Sequence, residues 1–300
     1  MDRILGIIEG DEPGPLIICI AAIHGNEQIG IHAFRNVYSA IIKHKIPFKG
    51  KLVGITGNIK AIASNERFLD YDLNRCWKEP IVDSILNDAY GLSAENEEVK
   101  AIHQIIDRES QGEYTERVIV DLHATSADKG NFIVVPDDEG EHPVIKALQL
   151  PVVMGLDEHL QGTLVSYYHH LHGFCAFAFE GGTIGSDGAY RLHTSGLWEV
   201  LDKAGAISHH DHEVEDHYAN DLYEVGKHFP AKVAIVYRHQ IIRDDAFRML
   251  PGFHNFQPVH KGQLLALDKN GQIASPEDGM IFMPLYQSHG DDGFFIIREV

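Results

Sequence analysis

The chain alternates wholly apolar runs with stretches in which apolar residues recur every three or four positions, and each change of period predicts a change between strand and helix. Residues 3–8 read as a short strand, residues 11–15 as a turn by composition, and Leu16-Ile-Ile-Cys-Ile-Ala-Ala-Ile23 as a strand buried on both faces. From Glu27 to about Lys45, Ile31, Phe34, Val37, Tyr38 and Ile41 return at helical spacing until Pro47 ends the helix. Residues 52–56 predict another strand. Ser93 is placed to cap a helix over 94–109 that turns Val99, Ile102, Ile105 and Ile106 inward. Further strands follow at 117–125, 132–135, 152–154 and 174–182, with a short helix at 143–150 and a longer one beyond Gly188 through Leu197, Trp198 and Leu201. Strands separated by helices in this way predict an α/β fold, a mainly parallel sheet with helices on both faces. Residues 58–77 stand apart, too polar for core and too specific for a linker.

The pattern changes after residue 204. Residues 205–230 are polar and rich in acids and histidines, and beyond them 232–242, 263–267, 272–274, 280–283 and 294–297 are short strands broken by Lys261-Gly, Asn270-Gly and Asp278-Gly turns. The expected organisation is a catalytic domain over 1–204, a polar interdomain segment over 205–230 and a smaller C-terminal all-β domain, barrel-sandwich-like, over 231–300. The hairpin at 271–279 looks like a lipoyl-type unit, but no lysine occupies its Asp-Gly turn, which argues against a swinging-arm carrier.

Composition narrows the partners. An apolar content of 44% over 300 residues is ample for a packed core. A net charge of −19 repels phosphate backbones and anionic membrane surfaces, so neither nucleic acid nor a membrane is expected as a partner. No apolar run approaches the ~20 residues of a membrane span, and no basic segment followed by a cleavable apolar one opens the chain. Three cysteines without motif spacing, two of them in predicted buried strands, point to a reduced, cytoplasmic setting. A homo-oligomer is compatible with all of this. An anionic substrate would need local arginines to overcome the overall field.

Candidate chemistry lies where three apolar runs end, the place at which open α/β sheets bind their ligands. The first run ends in His24-Gly-Asn-Glu27, the second in Asp121-Leu-His-Ala-Thr125, the third in Glu180-Gly-Gly182. His24, Glu27 and His123 are a two-histidine, one-carboxylate set of the kind that holds one catalytic zinc ion and leaves a position open. Glu180 is the candidate base. Each also has a plainer reading: Asn26 and Glu27 as the cap and dipole partner of a helix, His123 as a core histidine, Glu180 as a strand-end carboxylate facing solvent. Asp121, two residues before His123 on one strand face, would orient that imidazole from behind. Asn65-Glu-Arg67 and Asp72-Leu-Asn-Arg75 offer two guanidinium groups and an amide, suited to gripping a carboxylate, to stabilising an oxyanion, or merely to surface salt bridges.

Taken together and in this order, these five stretches resemble the succinylglutamate desuccinylase and aspartoacylase family, relatives of the zinc carboxypeptidases. The resemblance implies a carboxypeptidase-like mixed sheet with a C-terminal β domain, one zinc on His24, Glu27 and His123, and Glu180 promoting attack by water. It also implies that Arg67 polarises the scissile carbonyl and that Asn74 and Arg75 hold the substrate's α-carboxylate. Aspartoacylases grip their acidic product with a tyrosine and an arginine shortly before the catalytic glutamate. Here residues 165–173 hold no arginine, so Tyr167, His169 or His170 is expected to line the pocket, which leaves N-acyl amino acids other than N-acetylaspartate open. Tyr286 resembles a tyrosine that the β domain contributes near the substrate. The expected function is zinc-dependent cleavage of the amide bond of a small, anionic N-acylated amino acid. A peptidase is the nearest rival, and a zinc-binding protein without catalysis is the rival of another class. The tract at 208–217, four histidines among four carboxylates, reads as a solvated face rather than a second metal site.

Overall fold

Most of the apolar runs become neighbouring strands. The computed structural model describes residues 1–126, 130–136, 139–208, 218–242, 244–286 and 290–300. Its strands are β1 (Ile4–Glu9), β2 (Glu12–Ala21), β3 (Lys49–Thr56), β4 (Arg117–Thr125), β5 (Phe132–Val134), β6 (Val152–Met154), β7 (Cys175–Thr183), β8 (Lys232–Gln240), β9 (Arg248–Met249), β10 (Gln257–Val259), β11 (Leu264–Asp268), β12 (Gly271–Ala274), β13 (Gly279–Phe282) and β14 (Asp292–Glu299). Eleven form one sheet in the order β1-β3-β2-β4-β7-β5-β6-β8-β14-β13-β10, and β12-β11-β9 form a second, smaller one. β3, β2, β4 and β7 run parallel, as do β5, β6 and β8, whereas β5 opposes β7 and every pairing beyond β8 is antiparallel.

The helices are α1 (Ile29–His44), α2 (Ile59–Ser64), α3 (Glu79–Leu86), α4 (Ala94–Glu109), α5 (Pro143–Ala147), α6 (Leu156–His159), α7 (Leu164–His172), α8 (Asp187–Lys203) and α9 (Tyr218–Gly226). They cover both faces. Alternate residues of β2 separate accordingly: Ile17, Cys19 and Ala21 pack with Phe34 of α1 and Leu197 of α8, while Leu16, Ile18 and Ile20 pack with Val99 of α4 and Val165 of α7. The fold is thus a mixed, mostly parallel α/β sheet followed by an antiparallel C-terminal region.

Three details differ from the sequence reading. Residues 12–15, read as a turn, extend β2, with a register irregularity between Glu12 and Leu16 where two prolines lack donors. Helix α1 begins at Ile29 and Asn26 is not its cap; Gln28 stands at that position without a side-chain cap bond. Within 58–77, Leu73 and Trp77 are buried and a short 3-10 turn spans Leu73–Arg75, so this polar stretch contributes to the core after all. Residues 209–217, most of the histidine and acid tract, lie outside the described residues. β8, β13 and β14, from the region read as a separate β domain, prolong the main sheet through β6.

Candidate active site

The site gathers where β2, β4 and β7 end side by side. After β2 the chain turns through Ala22 at a positive φ of 60°, and the His24 carbonyl accepts from the Glu27 amide at 3.0 Å. That tight turn aims both side chains the same way. Gly25 is required there: a Cβ would lie 2.3 Å from the Ala61 carbonyl carbon of α2, and its amide donates to Arg67 O at 3.1 Å, tying the turn to the next loop. In the parallel pairing of β4 with β7, His123 is opposite Glu180, so the two project from adjacent strands at one end of the sheet.

The ligand-type atoms of His24, Glu27 and His123 all lie within 4.8 Å of one another, and all three residues are buried. His24 Nδ1 is 2.9 Å from Glu27 Oε1, and His123 Nδ1 is 3.0 Å from Glu27 Oε2. The opposite ring nitrogens face carboxylates: His24 Nε2 lies 3.1 Å from Asp72 and His123 Nε2 2.8 Å from Asp121. Each Nε2–H is thereby held from behind, leaving the two Nδ1 atoms for whatever lies between them. Arg67 donates to Glu27 at 3.1 Å and to Asp72 through two nitrogens, at 3.1 and 3.3 Å.

Three buried carboxylates therefore crowd two imidazoles and one guanidinium. The surplus of acid over guanidinium is two charges, which a divalent cation held by two Nδ1 atoms and a carboxylate would neutralise. The donor set fits zinc in atom type, number and backing. Burial works against ionised Glu27, but His24 and His123 outweigh it and hold that carboxyl well below its ordinary range. Burial likewise opposes a charged His123, yet Asp121 and then Glu27 hold the imidazole well above its usual value.

Glu180 is of another kind. Burial, reinforced by the Glu27 carboxylate, pushes its carboxyl up to about 7 against the pull of His123, His24 and Arg67. Its Oε2 has no hydrogen-bond partner among the described residues, and the residue lines the same pocket as His24, Glu27, His123, Arg67, Asn74 and Arg75. A buried carboxyl close to half-ionised at neutral pH and facing a cavity is suited to proton transfer.

A sequence model of the succinylglutamate desuccinylase/aspartoacylase catalytic domain matches residues 13–194, the span that carries all of these side chains. The chain belongs to this family. A probable aspartoacylase from Acaryochloris marina is 27% identical over 131 residues, 42% of this chain and 39% of that protein, so the match spans about two fifths of the relative's length. Among solved structures, the succinylglutamate desuccinylase from Vibrio parahaemolyticus shares the fold at a TM-score of 0.66 and 16% identity, over 97% of this chain and 82% of its own. The product-bound ectoine utilization protein EutE (DoeB) from Ruegeria pomeroyi does so at 0.68 and 18%, over 97% and 87%.

The family resemblance led the sequence reading to three substrate-side residues that the structure does not bring into the pocket. Residues 165–173 mostly form α7, and only its start, with Thr163 and Val165, faces the cavity. At about 100° per residue, Tyr167 is turned roughly 200° away from Val165, and it packs against Trp77, Tyr168 and His172 instead. His170 is exposed, its ring 4.7 Å from that of His169. Tyr286 does not line the cavity; its hydroxyl accepts from the Phe253 amide at 3.0 Å and donates to the Leu250 carbonyl at 2.9 Å, bracing a C-terminal loop. Two contributors had no role assigned from the sequence, although Asp72 opens one of the motifs quoted above. Asp72 stands behind His24 across 48 residues, and Asp292 reaches the Arg75 guanidinium across 217.

Proposed function

We propose that the chain is a zinc-dependent amidohydrolase that removes the acyl group from a small N-acylated amino acid, working in the reducing cytoplasm. The observation that carries this reading is the convergence on one pocket of a buried His24–Glu27–His123 donor set and a Glu180 carboxyl whose Oε2 has no hydrogen-bond partner among the described residues. A zinc ion held by His24, Glu27 and His123 would polarise the scissile carbonyl and acidify water. Glu180 takes a proton from the attacking water and returns one to the departing amine, so that amide and water become acid and amine. Arg67, in contact with Glu27, brings positive charge to the oxygen on which negative charge develops. Asn74 and Arg75 receive the substrate's α-carboxylate. Arg75 retains a buried Nε–H without a partner among the described residues, although its Nη1 and Nη2 are bound to Asn74 O at 2.8 Å and to Asp292 at 2.9 Å.

C-terminal residues Phe282, Met283, Leu285, Asp291, Asp292 and Phe295 wall the cavity, which favours a small molecule over a peptide chain. A protein that only stored zinc would need neither Glu180 nor Arg67. Cys19, Cys76 and Cys175 are buried and joined by no disulfide, in keeping with a reducing compartment, and no helix among the described residues is long and apolar enough to cross a membrane.

Hydrolysis of N-acyl amino acids by chelator-treated protein, with and without added zinc, tests the reading. Zinc is expected to restore turnover, and no hydrolysis of any N-acyl amino acid by zinc-loaded protein would leave the metal-binding alternative. His24→Ala or His123→Ala should lose both metal and activity, since two ligands hold zinc poorly. A full metal complement in either variant, by elemental analysis, would remove the ligand assignment.

A further inference from the structure

The first residue of β14 joins two arginines. Asp292 accepts from Arg75 Nη2 on Oδ2 at 2.9 Å and from Arg238 Nε on Oδ1 at 2.5 Å, while Arg238 Nη1 donates to the His159 carbonyl at 2.7 Å. All three charged side chains are largely withdrawn from solvent. Arg67 and Arg75 are the guanidinium groups that line the pocket among the described residues, and neither is free: Arg67 is bound by Glu27 and Asp72, Arg75 by Asp292. Asp291 adds a further carboxylate to the lining. The remaining wall is mostly apolar, with Val134, Leu160, Val165, Ile235, Phe282 and Phe295, and carries the neutral hydroxyl residues Thr125, Ser126 and Thr163 but no further cation among the described residues.

We propose that Asp292 is a specificity-determining residue, which limits the pocket to substrates with a single carboxylate: N-acyl derivatives of neutral or basic amino acids whose acyl group is itself uncharged and apolar. The inference rests on the amidohydrolase reading above. One carboxylate has a place beside Asn74 and Arg75, which line the pocket and of which Arg75 keeps an Nε–H without a partner among the described residues. A second carboxylate, whether on the amino-acid side chain or at the far end of the acyl group, meets a wall of hydrocarbon and the like charge of Asp291 and Asp292. Burying it there costs desolvation with no unpaired guanidinium among the described residues to offset it.

The test is a substrate panel on zinc-loaded wild-type protein: N-acetyl-leucine and Nα-acetyl-lysine against N-acetylaspartate and N-succinyl-leucine, which carry the second carboxylate on the amino-acid side chain and at the end of the acyl group. The monocarboxylates are expected to have kcat/KM at least roughly tenfold above the dicarboxylates, mostly through KM. Equal or better turnover of either dicarboxylate overturns the inference while leaving the amidohydrolase reading intact. Absence of turnover throughout overturns that reading instead. The inference is then judged by whether leucine and lysine raise the melting temperature of the zinc-loaded protein more than aspartate and glutamate do, and no such difference overturns it. Asp292→Asn, which keeps the shape and removes the negative charge shared by the two guanidinium groups, is expected to lower KM for the dicarboxylates and narrow the ratio. A folded variant, by melting curve, with an unchanged ratio overturns the role of Asp292, and should Asp292→Asn fail to fold, the wild-type panel still decides.

Discussion

Glu180 differs from Glu27 in surroundings rather than in chemistry: both are buried carboxyls of one pocket, but only Glu27 is bonded to imidazoles and guanidinium. Glu180→Gln keeps the shape and removes the basic oxygen, so kcat is expected to fall by roughly 10²–10⁴-fold with metal content unchanged; near-normal turnover would hand the proton to another group. The same substitution has a stability signature in the metal-free protein. A carboxyl pushed up to about 7 in the folded chain contributes stability below the unfolded value near 4.5, and that contribution is lost as pH rises through 7. Glu180→Gln should therefore match wild type near pH 4.5 and exceed it progressively toward pH 8, by at most about 3 kcal/mol. A stability gap that shrinks between pH 5 and 8 in chelator would contradict the buried, unpaired state of this group. His24, Glu27, His123 and Glu180 were legible in the sequence because each ends an apolar run, and a strand's end is a local signal. Asp292 was not, because its partners lie 217 and 54 residues away and no periodicity links them. Tyr167 was misplaced for a related reason, since the rotation of α7 decides which of its residues meets the cavity.

Strand register does at the level of elements what the motif does at the level of residues. Pairing of β4 with β7 puts His123 beside Glu180, and α8 then clamps the pair from one face through His193. That imidazole is fully buried, with Nε2 at 2.9 Å from the His123 carbonyl and Nδ1 at 2.7 Å from the Ala189 carbonyl, and desolvation pushes it down to about 4 against the pull of those two carbonyls. It lies so close over β7 that a Cβ on Gly181 would come within 2.3 Å of its ring. Gly181→Ala must displace the ring and with it the His123 carbonyl. The expected cost is ~1–3 kcal/mol of stability and, because an ångström of misplacement can remove about 10²-fold of rate, a fall in kcat of that order. Melting curves and kinetics check both, and His193→Ala in the Gly181→Ala background should recover part of the stability by making room; a wild-type kcat in the single variant would free the site from this clamp. Most strands and helices of the first 204 residues were legible because burial on both sheet faces writes unbroken apolar runs. The exceptions obey other constraints: residues 12–15 extend a strand despite two prolines because pairing resumes after an irregularity, and α2, α3, α6 and α7, four to nine residues long, show too little of a helical period, as do β9 and β10 beyond residue 204, two and three residues long.

At the scale of the molecule, the division into a catalytic body and a C-terminal cap is a proposal about function, and the sheet sets its limits. We propose that residues 231–300 act as a cap whose Phe282, Met283, Leu285 and Phe295 close the pocket over a body made by residues 1–204. The cap is joined to the body by more than chain connectivity. β8 pairs in parallel with β6, and Val233, Ile235, Phe282, Phe295 and Ile297 belong to the same buried cluster as Val99, Ile102 and Leu164 of the body. A boundary crossed by ladder hydrogen bonds and shared core cannot open without exposing both sides, so the cap and body are expected to unfold together. Differential scanning calorimetry of the whole chain should give one transition whose van't Hoff and calorimetric enthalpies agree. A chain ending at residue 230 should lack that transition and expose apolar surface, since Phe132, Val134 and Val153 would lose the aromatic and aliphatic partners that now cover them. Two resolved transitions in the whole chain, with the truncated one retaining the first unchanged, would make the cap an independent domain resting on the body, and the closure of the pocket would then depend on docking rather than on the continuity of one sheet.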